Sequence, residues 1–269
     1  MIGVFDSGVG GLTVLKALRR AMPRQDFFYL GDTARVPYGR KPPAMVRGFA
    51  REITAFLVER GAKAVVVACN TATAVALNDL KKEYPLPIWG VIEPGVEAAV
   101  RATHSGKVGV IGTRGAIASG AYQARLEARG MTVWARACPL FVHLVEEDLA
   151  DSPEAEVVAR PYLGDHPEID TIILGCTHYP VLSPVIARVL GPGVKLVESA
   201  AVAAEYVRSA YVRDGEDVQP SGSGKITHFV TGDPIAYEHT AAVIGGVEGE
   251  IIALPVSELS LSTRLLPSL

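Results

Sequence analysis

Cysteine is scarce in this chain of 269 residues, which has only Cys69, Cys138 and Cys176. An odd count without CxxC spacing excludes a disulfide framework and a zinc ribbon. What remains is three free thiols to be sorted into core and reactive. No apolar run approaches the roughly 20 residues needed to span a bilayer, so no membrane partner is expected. Lys and Arg form no run and the formal net charge is −3. The footprint of a phosphate-backbone binder is therefore missing, and nucleic acid is not an expected partner. The opening MIGVFDSG enters a strand directly, without the charged and apolar regions of a signal peptide, which points to the cytoplasm. Gly8, Gly10 and Gly11 give GxGG rather than GxGxxG, and no Walker lysine follows. Neither a metal-ligand cluster nor a pyridoxal-binding lysine motif is evident, so no metal and no cofactor is expected.

The chain is 49% hydrophobic and 20% charged, enough to bury a substantial core. Short Val- and Ile-rich runs alternate with amphipathic stretches, the pattern of βα units and a mainly parallel sheet. Strands are predicted at Ile2–Phe5, Asp26–Leu30, Ala64–Ala68, Ile88–Val91, Val108–Ile111, Thr132–Arg136, Thr171–Leu174, Lys195–Val197 and Ile226–Thr231. Helices are predicted at Leu12–Arg20, Pro43–Arg60, Gly120–Arg129 and Pro234–Ile244. The polar, Gly/Ser-rich segment 214–225 reads as an exposed loop, and Ser260–Leu269 shows no clear pattern.

A weak internal repeat runs through this pattern. Gly3–Gly8 and Gly109–Arg114 both end a strand in a small polar turn, 106 positions apart. Val65–Thr71 and Ile172–His178 both end a strand in a cysteine, and Cys176 lies 107 positions after Cys69. The expected fold is therefore α/β, with two similar domains of mainly parallel sheets flanked by helices and an active site in the cleft between them. The expected division is residues 1–93 plus 207–269 for the first domain and 94–206 for the second.

Chemistry concentrates at the strand ends, where open α/β sheets bind ligands. Cys69, in AVVVACNTATA, faces the amides of a probable helix start, which would favour thiolate and lower its pKa. The ordinary fate of a lone cysteine is a small core hydrophobe, but Asn70 and Thr71 beside it are polar residues that need a reason to be there. Cys176, in TIILGCTHYP, has Thr177 and His178 behind it, and a nearby His can hold or relay a proton. Cys138, in ARACPLF, has no adjoining polar partner and reads as core. Asp6-Ser7-Gly8 forms a tight turn whose amides suit a carboxylate rather than a phosphate. Asp6 would then meet a substrate ammonium or tune a neighbouring base, or simply cap the turn. Residues 31–39 form a long loop of the kind that carries binding groups. Glu146 and Glu147 fall in a helical pattern and, by themselves, read as a solvated acidic face; Glu198-Ser199, at a strand end, is ambiguous.

Taken together, GVFDSGVGGLTVL, GDTARVPYG, ACNTATA, GVIEPG, CPLFV with LVEE, GCTHYP and TGDP resemble the glutamate racemase family of the aspartate/glutamate racemase superfamily. GCTHYP, rather than the GCTE usual in aspartate racemases, favours glutamate. The resemblance implies interconversion of L- and D-glutamate without a cofactor, supplying D-glutamate for peptidoglycan. It makes Cys69 the base for the D enantiomer and Cys176 the base for the L, assisted by Asp6 and His178 respectively. Asp6, Ser7, Tyr38, Gly39, Asn70, Thr71, Thr113, Thr177 and His178 would hold the amino acid, and one of Glu146 or Glu147 would support His178. The expected small-molecule partner is L- or D-glutamate, and a homodimer is the candidate assembly. His143 and Thr73 depart from the family's usual Pro and Ser. Two other readings compete: a cysteine hydrolase using Cys176 and His178, and a non-enzymatic protein that closes on an anionic amino acid.

Overall fold

The computed structural model describes residues 1–213 and 222–262. Its first half runs β1 (Ile2–Asp6), α1 (Leu12–Ala21), β2 (Phe27–Gly31), α2 (Pro43–Glu59), β3 (Ala64–Val67), α3 (Asn70–Glu83), β4 (Ile88–Gly90) and α4 (Ile92–Ala102). There follow β5 (Lys107–Gly112), α5 (Arg114–Ala118), α6 (Ala121–Glu127), β6 (Thr132–Ala137), α7 (Leu140–Glu146), α8 (Pro153–Leu163), β7 (Thr171–Gly175), α9 (Ser183–Leu190) and β8 (Lys195–Glu198). The chain then continues through α10 (Ser199–Arg213), β9 (Ile226–Val230), α11 (Pro234–Val243), β10 (Glu250–Ala253) and α12 (Val256–Ser262).

These strands form two sheets, ordered β10-β9-β2-β1-β3-β4 and β6-β5-β7-β8, and every pairing is parallel. The repeat seen in the sequence is visible in this topology. The order β2-β1-β3-β4 recurs as β6-β5-β7-β8, so each cysteine follows the strand beside the one that carries the small polar turn.

Side-chain alternation explains why both faces are covered. Ile2 and Val4 enter the core on one face of the first sheet with Ala64 and Val66; Phe5, Val65 and Val67 enter the core on the other. In the second sheet Ile172 and Leu174 pack on one face and Ile173 on the other. Strands buried on both sides read as continuous apolar runs, as these do.

Most predicted elements appear within a residue or two of their expected ends. β10 lacks a strong apolar run and was not foreseen; it pairs at the edge beside β9. Ser260–Ser262, expected to be patternless, close α12. Residues 214–221 and 263–269 of the remaining expectations lie outside the described residues. The expected divisions after residues 93 and 206 fall inside α4 and α10. Ile92, Val96 and Ala99 of α4 pack under the second sheet. Ala200, Ala203, Ala204, Val207 and Ala210 of α10 pack under the first. Among the described residues, no helix is long and apolar enough to cross a membrane.

Ile173, fully buried at the centre of β7, tests this packing. Ile173→Ala should cost about 2–5 kcal/mol. It would be read as a lower urea midpoint with an unchanged slope.

Candidate active site

Parallel strands deliver their C-terminal ends to one edge of a sheet, and the two such edges meet around a cavity of about 160 Å³. Engineered cavities of roughly 150 Å³ hold benzene, so the room here is for a small metabolite. Ser7, Tyr38, Gly39, Cys69, Asn70, Thr71, Thr113, Cys176, Thr177 and His178 all line it. Asp6 lies behind this wall at 1% exposure. The structure thus brings together every residue singled out for the site. Val36 and Pro37 of the loop expected to carry binding groups line the cavity too; sequence reasoning missed Arg40, Arg114, Pro139 and Val142 as lining groups, and His143 was noted only as a departure.

Cys69 is the N-cap of α3 and its sulfur receives the Ala72 amide at 3.5 Å. Its thiol reaches toward Ser7 Oγ at 3.9 Å. The expectation that the helix start lowers its pKa is corrected here. Burial, reinforced by the Asp6 charge, pushes the Cys69 thiol up to about 12, outweighing the Ala72 and Ser7 contacts. Asp6 is also raised by burial, although His178 and the Gly8 and Gly11 amides oppose the shift.

The Asp6–Gly11 turn differs from expectation in a second way. Its amides do not form an open cradle, because Gly8 donates to Asp6 Oδ2 at 3.0 Å, and Asp6 is itself the anion they hold. The glycines serve close approach. A Cβ on Gly10 would overlap His178 Nδ1 and Thr177 Oγ1, and one on Gly11 would overlap Asp6.

Around the second thiol, Cys176 Sγ lies 3.9 Å from His178 Nδ1, and His178 Nε2 lies 3.0 Å from Glu146 Oε1. The choice left open between two glutamates falls on Glu146. It is the last residue of α7, whereas Glu147 lies beyond the helix end and Asp148 turns the chain at φ 56°. Burial works against a charge on His178. The Cys176 and Glu146 contacts nonetheless win and raise its pKa to about 10, so an imidazolium stands there at neutral pH. The protein therefore holds two different thiol environments, one beside a carboxyl and one beside a cation.

The remaining lining groups are held by the scaffold. Thr71 and Thr113 hydroxyls meet at 2.8 Å, joining the two strand-end turns. Tyr38 faces inward, its hydroxyl donating to Asp32 and its carbonyl accepting from Lys41 N at 3.1 Å, so its phenol is not free for a ligand. Asp32 also accepts from Arg35 Nε at 2.7 Å and Thr231 Oγ1 at 2.8 Å, which ties the TGDP segment to the loop. Cys138 is fully buried in the second sheet's core and lies outside the pocket lining. Among the described residues, no cluster of three His, Cys, Asp or Glu is placed to hold a metal.

Two doubly covered parallel sheets thus bring a thiol from equivalent strand ends to one pocket. Residues 2–207 match the Asp/Glu/Hydantoin racemase family, and the chain belongs to it. Within that family it stands among the glutamate racemases, and it is an isomerase. It is 55% identical over 245 residues to a glutamate racemase of Thermus thermophilus, spanning 91% of this chain and 92% of that one. The solved structure of a T. thermophilus glutamate racemase in complex with β-chloro-D-alanine superposes with a TM-score of 0.89 at 52% identity, covering 96% and 97% of the two chains. The glutamate racemase of Francisella tularensis in complex with D-glutamate gives 0.88 at 32% identity, over 95% and 97%.

This geometry makes two measurable demands. Gly10→Ala should push His178 from its seat and lower the racemisation rate on the order of 100-fold, the scale of about 1 Å of misplacement. Steady-state rates on a folded variant check it. The second concerns pH. His178 is raised from 6.5 to about 10 and Cys69 from 9.0 to about 12 in the fold. Their stabilisation is therefore complete below pH 6.5 and 9.0 respectively, and is lost as pH rises through the folded values. Melting temperature should fall on raising pH from 6.5 to about 10, and His178→Asn should flatten that fall.

Proposed function

We propose that this chain interconverts L- and D-glutamate by a cofactor-independent two-base mechanism, with Cys69 and Cys176 as the bases. The observation that carries this reading is the placement of the two thiols. They end adjacent-type strands of a repeated topology and line one pocket, each with its own acid–base partner. Racemisation takes the α-proton from one face of the carbon and returns one to the other. It therefore needs two groups on opposite sides, one deprotonated and one protonated.

The unequal environments supply that asymmetry. In the L-to-D direction, Cys176, as thiolate beside the His178 imidazolium, takes the α-proton while Cys69, kept a thiol by its burial, donates to the opposite face. The products leave the thiols in reversed states, ready for D-glutamate. Asp6, behind the lining, would tune Cys69 through its charge, and a substrate ammonium beside Cys69 would favour its thiolate in the reverse direction. Ser7, the backbone of Tyr38 and Gly39, Asn70, Thr71, Thr113, Thr177 and His178 would hold the carboxylates and ammonium. The α-proton is a very weak acid, so donors fixed around the carboxylate must carry the developing charge; one such donor is worth about 3–4 kcal/mol of barrier.

The resemblance supports a role in supplying D-glutamate for peptidoglycan in the cytoplasm, with a homodimer as the assembly. It also supports division into a first domain of 1–93 with the C-terminal return and a second domain between them.

L-Glutamate incubated with the protein in D₂O should exchange its α-proton, and its optical rotation should decay to zero. Absence of exchange with any amino acid would overturn the reading. Cys69→Ser and Cys176→Ser should each lower racemisation on the order of 10²–10⁴-fold, the usual worth of a general acid or base. Full activity in Cys69→Ser would instead indicate hydrolase chemistry at Cys176.

A further inference from the structure

Asn70 stands immediately after Cys69, is 2% exposed and lines the pocket. A carboxamide offers an acceptor at one end and donors at the other, so which end faces the ligand is decided by its fixed partners. Here the fixed partner is Tyr122, whose hydroxyl lies 2.6 Å from Asn70 Oδ1. At the opposite end, Asn70 Nδ2 is buried and has no partner among the described residues.

Tyr122 comes from α6, in the other half of the repeat, and is fully buried among Ile92, Val96, Val108 and Ile173. Burial holds its phenol above the ordinary value and therefore protonated. A protonated phenol aimed at Oδ1 settles the sense of the amide. Were the amide reversed, Nδ2 would donate to the phenol oxygen, but the phenolic proton would lose its acceptor and Oδ1 would be left without a donor. The same ring lies against Gly175, where an added Cβ would come within 3.1 Å of Tyr122 Cε2. One tyrosine thus touches the residue after Cys69 and the residue before Cys176.

We infer that Tyr122 is a positioning residue that locks the Asn70 carboxamide so that its Nδ2 protons are presented to a carboxylate oxygen of the substrate. This rests on the amino-acid substrate proposed above. Only an acceptor completes the orphaned Nδ2, so the substrate ammonium does not fit this corner. Charge builds on the α-carboxylate as the α-proton leaves, so a fixed donor there strengthens in the transition state.

The test is a double-mutant cycle on the full chain. Tyr122→Phe removes one oxygen and keeps the ring. It should lower kcat/KM for glutamate about 10- to 100-fold, the worth of a hydrogen bond to a charged group, with kcat reduced as well as KM raised. In an Asn70→Ala background the same change should move kcat/KM less than about twofold. Equal losses in both backgrounds would show a merely structural tyrosine and overturn the inference, as would an unchanged kcat/KM in Tyr122→Phe. Asn70→Asp supplies a second arm. It keeps an acceptor for Tyr122 but offers no donor, so it should bind D-glutamate at least as poorly as Asn70→Ala; wild-type affinity would overturn the inference. Calorimetric binding of D-glutamate reads every arm independently of turnover. Binding losses without α-proton exchange in the wild type would fail the racemase reading while leaving the Tyr122 assignment standing.

Discussion

In an all-parallel sheet every strand ends on the same edge, and the rest of this molecule follows from that constraint. The edge cannot be apolar, because each strand must turn there into a helix and expose amides that need partners. Polar and small residues therefore collect where β1, β3, β5 and β7 finish, and the apolar runs stay behind them. Repeating the order β2-β1-β3-β4 as β6-β5-β7-β8 makes two such edges. Facing one another, they enclose one cavity with a thiol from each.

Equivalent positions do not make the thiols equivalent, and burial is the reason. A buried sulfur resists charge unless a cation or donors are near. Cys69 is contacted by the Ala72 amide and Ser7, but burial and the Asp6 charge push it up to about 12. Cys176 faces a histidine whose second nitrogen is held by Glu146, a carboxylate whose side chain is one-third exposed. Asp6, by contrast, lies at 1% exposure. The repeat thus supplies the geometry, while the partners of each thiol, Asp6 on one side and His178 with Glu146 on the other, lie outside it.

What was legible in the sequence was local. Cys69 and Cys176 stand directly after Val/Ile runs, so their place at strand ends could be read from a few neighbours. Cys138 lacked polar neighbours and is core. Glu146 could not be told from Glu147, since the difference lies in where α7 stops and in the turn at Asp148. The raised pKa of Cys69 was equally hidden. The helix-start amide is a local feature and is present, but the desolvation that outweighs it comes from packing by distant segments. Asp6 was legible as a polar strand end, yet that the turn's amides are spent on it required coordinates. β10 escaped because an edge strand with exposed Glu250 and Ala253 has little apolar signal. Tyr122 lies 52 positions from Asn70, and no periodicity links them.

Small residues set how closely the two edges approach. A Cβ on Gly39 would come within 2.7 Å of Thr113 Cβ, and Gly10 leaves no room beside His178 and Thr177. Across the same seam Thr71 meets Thr113, and Thr13 Oγ1 donates to the Thr177 carbonyl at 3.1 Å. These contacts are short polar and backbone packings, without long charged side chains that would reorient. They hold the strand-end turns in register while adding little bulk, which leaves the cavity its volume. Larger aromatic groups stand one layer back: Tyr38 is pinned to Asp32, Tyr122 to Asn70 and Tyr179 to the Cys138 carbonyl. A wall of small polar residues backed by hydrogen-bonded tyrosines is a rigid way to line a pocket. Rigidity is what a site needs when its donors must already point at charge that appears only as a proton leaves carbon.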